Sequence, residues 1–322
     1  MGDEMARFSI GTAINDAFSL MRRRPLSVFV WGLIMVAPSV AGLGLLWPMM
    51  GDMVAAMAMR AGTDGPDPAV MANMMQFQAA SWLLNIVQLL LMVVIYTAVM
   101  RAMLRPRESS FFSLRLGMDE LRIAVVGLAV IVGMYIAIFV LILIGMAIGF
   151  ATWSAGSPTN WLVIVGLIVT AFVAICIALA RVSLIAPASV LYRTFAFAEG
   201  WRFGRGQTGS LFGMGLLVML IIILVEGIVF TIGMAIAVAA GMAGGMNWAT
   251  PHSHTMDVNP FEGMNAVLAA NWPWFAAGAL VLSMVYGAVM TLSVGSYASA
   301  CGQLAGNGGS IPADEQSPAT VA

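Results

Sequence analysis

The sequence has 322 residues, of which 61% are hydrophobic and 9% charged, where a soluble globular protein carries about 25% charged residues. Its 14 basic side chains are all arginine and stand against 15 acids, for a net charge of -1 with histidine neutral. So little charge cannot clothe a water-facing surface of this size, which excludes a soluble globular fold and turns the apolar excess toward lipid. The near-zero balance, with no basic domain or motif, gives no footprint for nucleic acid.

Residues 1–25 form a lead segment. Ile10, Ile14, Phe18 and Met21 recur at helical spacing, with Asn15, Asp16 and Ser19 elsewhere on the wheel. The pattern predicts an amphipathic helix lying on the membrane, its end marked by Arg22, Arg23 and Arg24 among phosphate headgroups. Pro25 then opens the first span, because a first-turn proline sacrifices no helical hydrogen bond. This run is too long for a signal-peptide core and follows a lead containing Asp3, Glu4 and Asp16, so it is expected to remain as a span.

Six stretches are long and apolar enough to cross about 30 Å of hydrocarbon: residues 26–50, 82–103, 123–149, 161–184, 211–239 and 272–296. The expected fold is an all-α polytopic membrane bundle of six transmembrane helices occupying residues 26–300. The third and fifth spans are long enough to need tilt or an interfacial turn. Surface segments resembling the lead precede span three (110–122) and span five (192–205), which predicts three helical hairpins, each preceded by a cytoplasmic interfacial helix. Residues 301–322, rich in Gly, Ser, Pro and acid, are expected to form a flexible cytoplasmic tail.

The arginines sort by loop. Arg7 and Arg22 to Arg24 precede span one; Arg101, Arg105, Arg107, Arg115 and Arg122 flank the second connection; Arg181, Arg193, Arg202 and Arg205 follow the fourth span. The opposite side holds only Arg60, so the positive-inside rule predicts that both termini are cytoplasmic. Trp47, Trp82, Trp153, Trp161, Trp248, Trp272 and Trp274 fall beside the arginine-poor loops, as an outer interfacial girdle requires. A five- or seven-span reading would strand one arginine cluster outside.

Glu226 interrupts the fifth span. A charged side chain facing lipid at mid-span costs about 2.5 to 3.5 kcal/mol even on lenient scales, so Glu226 is expected to face the bundle. Asn85 and Gln88 on span two are its candidate partners, with Thr97, Thr170 and Ser283 as further polar groups. The network reads either as an interhelical hydrogen bond or as part of a proton or substrate path. Arg22, Arg23, Arg24, Arg202 and Arg205 are candidate contacts for phospholipid headgroups, although anchoring the spans also accounts for them.

The 27 methionines include Met49, Met50, Met53, Met57, Met59, Met71, Met74 and Met75 around the first outer loop, and His252, His254, Met256 and Asp257 occur in the third. Such thioethers and imidazoles suit Cu(I), but spacings such as Met53 to Met57 seat a helix equally well and no tetrahedral ligand set is completed, so no metal is assigned. Cys176 and Cys301 read as small apolar fillers. Gly145 with Gly149, Gly209 with Gly213, and Gly241 with Gly245 have close-packing spacing. Pro38 and Pro187 are candidate helix kinks or ends, Pro187 closing span four. There is no phosphate-binding glycine loop, zinc motif or nucleophile elbow, so neither a catalytic residue nor a cofactor is expected.

Three groups of residues carry a family resemblance: Phe8-Ser-Ile-Gly-Thr-Ala-Ile-Asn-Asp-Ala-Phe18 with Arg22-Arg-Arg-Pro25; Arg181-Val-Ser-Leu-Ile-Ala-Pro187; and Glu199-Gly-Trp-Arg202 with Gly206-Gln-Thr-Gly-Ser-Leu-Phe-Gly213. Over residues 8 to 300 the chain resembles the bacterial six-helix membrane proteins related to the membrane domain of glycerophosphoryl diester phosphodiesterase. The resemblance implies a stand-alone module of a bacterial inner membrane without the catalytic domain that follows in phosphodiesterase members, and it transfers no catalytic residue. The expected role is noncatalytic: organising membrane phospholipids or a membrane-protein partner. A small-solute or lipid transporter with a polar path near Glu226 is the alternative, and a metal-handling membrane protein a third.

Overall fold

Long apolar segments have to satisfy their own backbone groups where no water reaches, which leaves the helix as the solution for each span. The computed structural model describes residues 8–58, 68–107, 111–115, 117–153, 159–243 and 260–307. In chain order these form α1 (Ile10–Arg23), α2 (Pro25–Ala58), α3 (Pro68–Leu104), a 3-10 turn (Phe111–Ser113), α4 (Met118–Trp153), α5 (Thr159–Val182), α6 (Ile185–Tyr192), α7 (Phe197–Gly204), α8 (Thr208–Ala243) and α9 (Pro260–Asn307). No strand occurs among the described residues.

Among the described residues, six stretches are long and apolar enough to cross a membrane: Pro25–Gly51, Val70–Leu104, Met118–Ala151, Leu162–Tyr192, Thr208–Ile236 and Asn271–Gly306. The protein is an all-α, multi-pass membrane protein, as the hydropathy pattern predicts. Several helices outrun the hydrocarbon: the 37 residues of α3 are about 55 Å long at 1.5 Å per residue. The chain divides into two compact units, one of residues 1–23, 93–219 and 291–322, the other of residues 24–92 and 220–290.

In the second unit the packing is set by two glycines. A Cβ on Gly32 would collide with the Ser283 carbonyl oxygen of α9, and one on Gly287 with the Val28 carbonyl oxygen of α2, so both must be glycine for α2 and α9 to cross backbone to backbone. Trp31, Val28, Met35 and Ser283 are buried around this crossing. Gln88 of α3 donates its Nε2 to the Met35 carbonyl at 3.2 Å, tying α3 to α2. α9 kinks at Asn271 (φ -117°, ψ 17°), two residues before Pro273, whose ring cannot accommodate an ideal preceding turn.

In the first unit, one face of α1 is seated on the protein. Its buried stripe is Ala13, Ile14, Ala17 and Leu20, and Ala17 Cβ would stand 3.4 Å from a side chain at Gly295 of α9. Ser299 donates to Asp16 at 2.6 Å, and the Ser9 amide donates to Gln303 at 2.9 Å. The alanines permit this close seating, while Phe18, placed on the apolar stripe by sequence spacing, is exposed. The contacts of Gln303 also keep the chain helical to Asn307, past residue 301 where the flexible tail is expected; residues 308–322 lie outside the described residues.

Other expectations shift in the same way. Among the described residues of the segment before α4, where a surface helix is expected, there is a 3-10 turn with left-handed Phe112 (φ 52°) and Ser113 (φ 57°). Pro187 does not close span four: α5 ends at Val182, and Pro187 lies in the first turn of α6, where proline is tolerated. α2 continues through Pro38. Gly145, Gly149 and Gly209 have no atom within 4 Å of an added Cβ, and Gly213 meets only Ile10 at 3.9 Å; Gly245 lies outside the described residues. Spacing shows where a helix could be approached, and here the neighbour arrives elsewhere.

Candidate functional site

Among the described residues, the densest polar constellation lies in the first unit, where α3 ends and α4 begins. Arg101 and Arg105 are four residues apart on α3 and so share a face, while Asp119 and Glu120 open α4, where a helix N-terminus favours negative charge. Arg101 donates through Nη2 to Glu120 Oε1 at 2.8 Å and lies 3.5 Å from Asp119 Oδ2. Its Nη1 donates to the Ser113 carbonyl at 2.9 Å. Arg105 donates through Nη2 to Asp119 Oδ2 at 2.7 Å and to the Val190 carbonyl of α6 at 2.8 Å. Arg122 reaches back to Asp119 Oδ1 at 2.7 Å, and the Gly117 amide donates to Glu120 Oε2 at 2.9 Å.

Three guanidinium groups thus surround two carboxylates, and each carboxylate oxygen has a donor. The side chain of Arg101 is only 3% exposed, so water cannot stand in for these partners. A buried network of this kind adds little net stability over apolar packing but penalises every arrangement that leaves a charge unpaired. It therefore fixes how α3, the 3-10 turn, α4 and α6 meet. The left-handed Phe112 and Ser113 turn the chain so that the Ser113 carbonyl reaches Arg101.

α6 and α7 build a second feature. Arg193, left-handed at φ 54°, ends α6, and Ser189 Oγ accepts from the Ala196 amide at 3.1 Å, turning the chain into α7. Gly200 and Gly204 press α7 onto the backbone of Ile185 and Arg181; an added Cβ at Gly204 would stand 2.9 Å from the Arg181 carbonyl oxygen. With that face consumed, Phe197 (37%) and Trp201 (43%) stay substantially exposed, next to exposed Arg202 and Arg205. Arg181 stacks over the Trp201 ring at 5.4 Å and holds it in place. α1 repeats the combination, with Phe18 (41% exposed) four residues before exposed Arg22, followed by exposed Arg23. Arg24 is half-buried.

The intramembrane trio expected from the sequence is not assembled. Asn85 is exposed and donates to the Ser81 carbonyl of its own helix at 2.8 Å. Gln88 bonds α2. Glu226 does not face the bundle: it is exposed on α8, with no hydrogen bond or ion pair among the described residues. The helix stripe that turns inward is Ile222, Val225 and Val229, which leaves residue 226 about 100° away. Thr97, Thr170 and Ser283 each donate to a carbonyl of their own helix. Of the candidate metal donors, Met59, His252, His254, Met256 and Asp257 lie outside the described residues, and Met71, Met74 and Met75 are exposed. Among the described residues no group of three or more His, Cys, Asp or Glu is placed to hold a metal ion.

No family model, curated protein or solved structure matches the chain. The buried network is the feature that sequence reasoning missed. Its arginines fit the positive-inside pattern on their own, and the signal available was the adjacent acidic pair Asp119-Glu120 in a connection with five arginines and one other acid, Glu108.

Proposed function

We propose that this chain is a noncatalytic protein of a bacterial cytoplasmic membrane, with both termini cytoplasmic, that gathers anionic phospholipids at its cytoplasmic face. The observation that supports this reading is the pairing of exposed aromatics with exposed arginines on two surface helices, Phe18 with Arg22 and Arg23 on α1, and Phe197 and Trp201 with Arg202 and Arg205 at α7. Aromatic rings settle at the level of the headgroups, and guanidinium groups attract the negative lipids of a cytoplasmic leaflet at about 1 kcal/mol each. The buried network contributes indirectly by fixing α6, on which α7 is seated. The resemblance to the phosphodiesterase membrane-domain proteins agrees with a membrane module of this kind. A transport path through Glu226 draws no support from a side chain turned out of the bundle.

Lipid retention tests the proposal. The protein, reconstituted in nanodiscs of phosphatidylglycerol and phosphatidylcholine, is released and its bound lipids weighed by native mass spectrometry. Phosphatidylglycerol is expected to be enriched on the wild type and to fall to its bulk proportion in the Arg202→Gln/Arg205→Gln double variant. Equal enrichment in both proteins would overturn the assignment and leave that surface to a protein partner.

A further inference from the structure

α3 is longer than the hydrocarbon it crosses. Counted back from Arg101 at one end, about 30 Å of hydrocarbon is used up at Trp82, 19 residues away at 1.5 Å per residue. Trp82 is 63% exposed, as an interfacial tryptophan is. The turns before it therefore stand among headgroups and water, a level that exposed Asn73, Gln76 and Gln78 fit. Met71, Met74 and Met75 lie in the same turns and are 58%, 50% and 74% exposed. Methionine in a membrane helix ordinarily fills a gap between helices or meets lipid tails, and these three do neither.

Their spacing brings them together. Residues three and four apart are neighbours on a helix surface, with Cβ atoms about 5 to 6 Å from one another, so Met71 stands beside both Met74 and Met75. The three positions span about 100° of the helix, and unbranched side chains with three rotatable bonds can turn their sulfur atoms to a common point.

We propose that Met71, Met74 and Met75 form a binding site for Cu(I). Thioether sulfur is a soft ligand, which favours this monovalent ion over Zn(II), Mg(II) or Ca(II). It carries no proton, so binding displaces none, unlike binding at a cysteine or histidine site. It is also neutral, and the bound ion keeps its positive charge, which the headgroup level solvates and hydrocarbon would not. The site uses no residue of the lipid surface on α1 and α7, and each proposal stands without the other.

Two measurements on the full-length protein in nanodiscs test this. In the first, calorimetric titration with silver nitrate in chloride-free buffer uses Ag(I) as a soft monovalent probe that needs no reductant. Met71→Leu/Met74→Leu/Met75→Leu is expected to bind one ion fewer than the wild type. Each single leucine variant is expected to weaken that ion at least about tenfold, no less than the loss of an outer-shell partner costs a metal site. Leucine keeps the volume of methionine at exposed positions, and an unchanged elution profile verifies the fold. Met234→Leu, exposed on α8, is expected to bind as the wild type does. The affinity is expected to hold between about pH 7.5 and 5.5, the range in which imidazole takes up protons. In the second, X-ray absorption of the anaerobic Cu(I) complex is expected to show sulfur neighbours alone. No binding by the wild type, equal binding by the triple variant, an equal loss in Met234→Leu, a tenfold fall on acidification, or nitrogen neighbours on copper would each overturn the proposal.

Discussion

Arg101 of α3 and Glu120 of α4 meet at 2.8 Å with both side chains withdrawn from solvent, although 19 residues separate them in sequence. The bond joins the end of one candidate span to the start of the next, and Arg105 extends it to α6 through the Val190 carbonyl. The connection between these spans is thus clamped by charge.

Removing one member strands the other. Glu120→Leu or Arg101→Met is expected to destabilise the protein by about 3 to 5 kcal/mol, the usual result of leaving a buried charge unpaired. The Arg101→Met/Glu120→Leu double variant should recover much of that loss. Unfolding midpoints in detergent for the two single variants and the double variant measure the coupling; simple additivity would show that the two side chains act separately.

The α2–α9 crossing has no room for a side chain. Gly32→Val and Gly287→Val are expected to lose folded protein altogether, because the obstructing atoms are backbone carbonyl oxygens that cannot rotate aside. Gly227→Ala, with open space around it, should fold and elute as the wild type does. Fluorescence-detected size-exclusion profiles separate these outcomes.

Gln88 presents a milder case. Its Nε2 bonds the Met35 carbonyl, but its buried Oε1 has no partner among the described residues. Gln88→Leu gives up one bond of a type that averages about 0.6 kcal/mol in membrane proteins and also removes an unsatisfied acceptor. The midpoint of thermal unfolding is expected to move little. A loss comparable to that of Glu120→Leu would mean that the amide oxygen has an essential partner.

The spans were legible because twenty apolar residues in succession leave the backbone one way to satisfy itself, whatever the helix packs against. Side-chain partners were not, since each depends on which face a helix turns inward. Glu226 illustrates this: its chemistry argues for the bundle, yet Val225 and Val229 take the inward face of α8. Likewise Gly32 sits in no repeated glycine pattern, and Gly287, although Ser283, Thr291, Gly295 and Ser299 stand at four-residue steps along the same helix, shows its role only where the Val28 carbonyl oxygen meets it. For Arg101 and Arg105, the charge asymmetry that orients spans hid a structural clamp, because one guanidinium can serve both purposes.

The arginine-rich connections must share the cytoplasmic side for the lipid-gathering surface to exist. Arg107→Cys and Arg205→Cys, both at exposed positions, can be probed with a membrane-impermeant maleimide on intact spheroplasts and on inverted vesicles. The account predicts that both thiols react in inverted vesicles and neither in intact spheroplasts. Labelling of the two from opposite sides, or of both from outside, would contradict it.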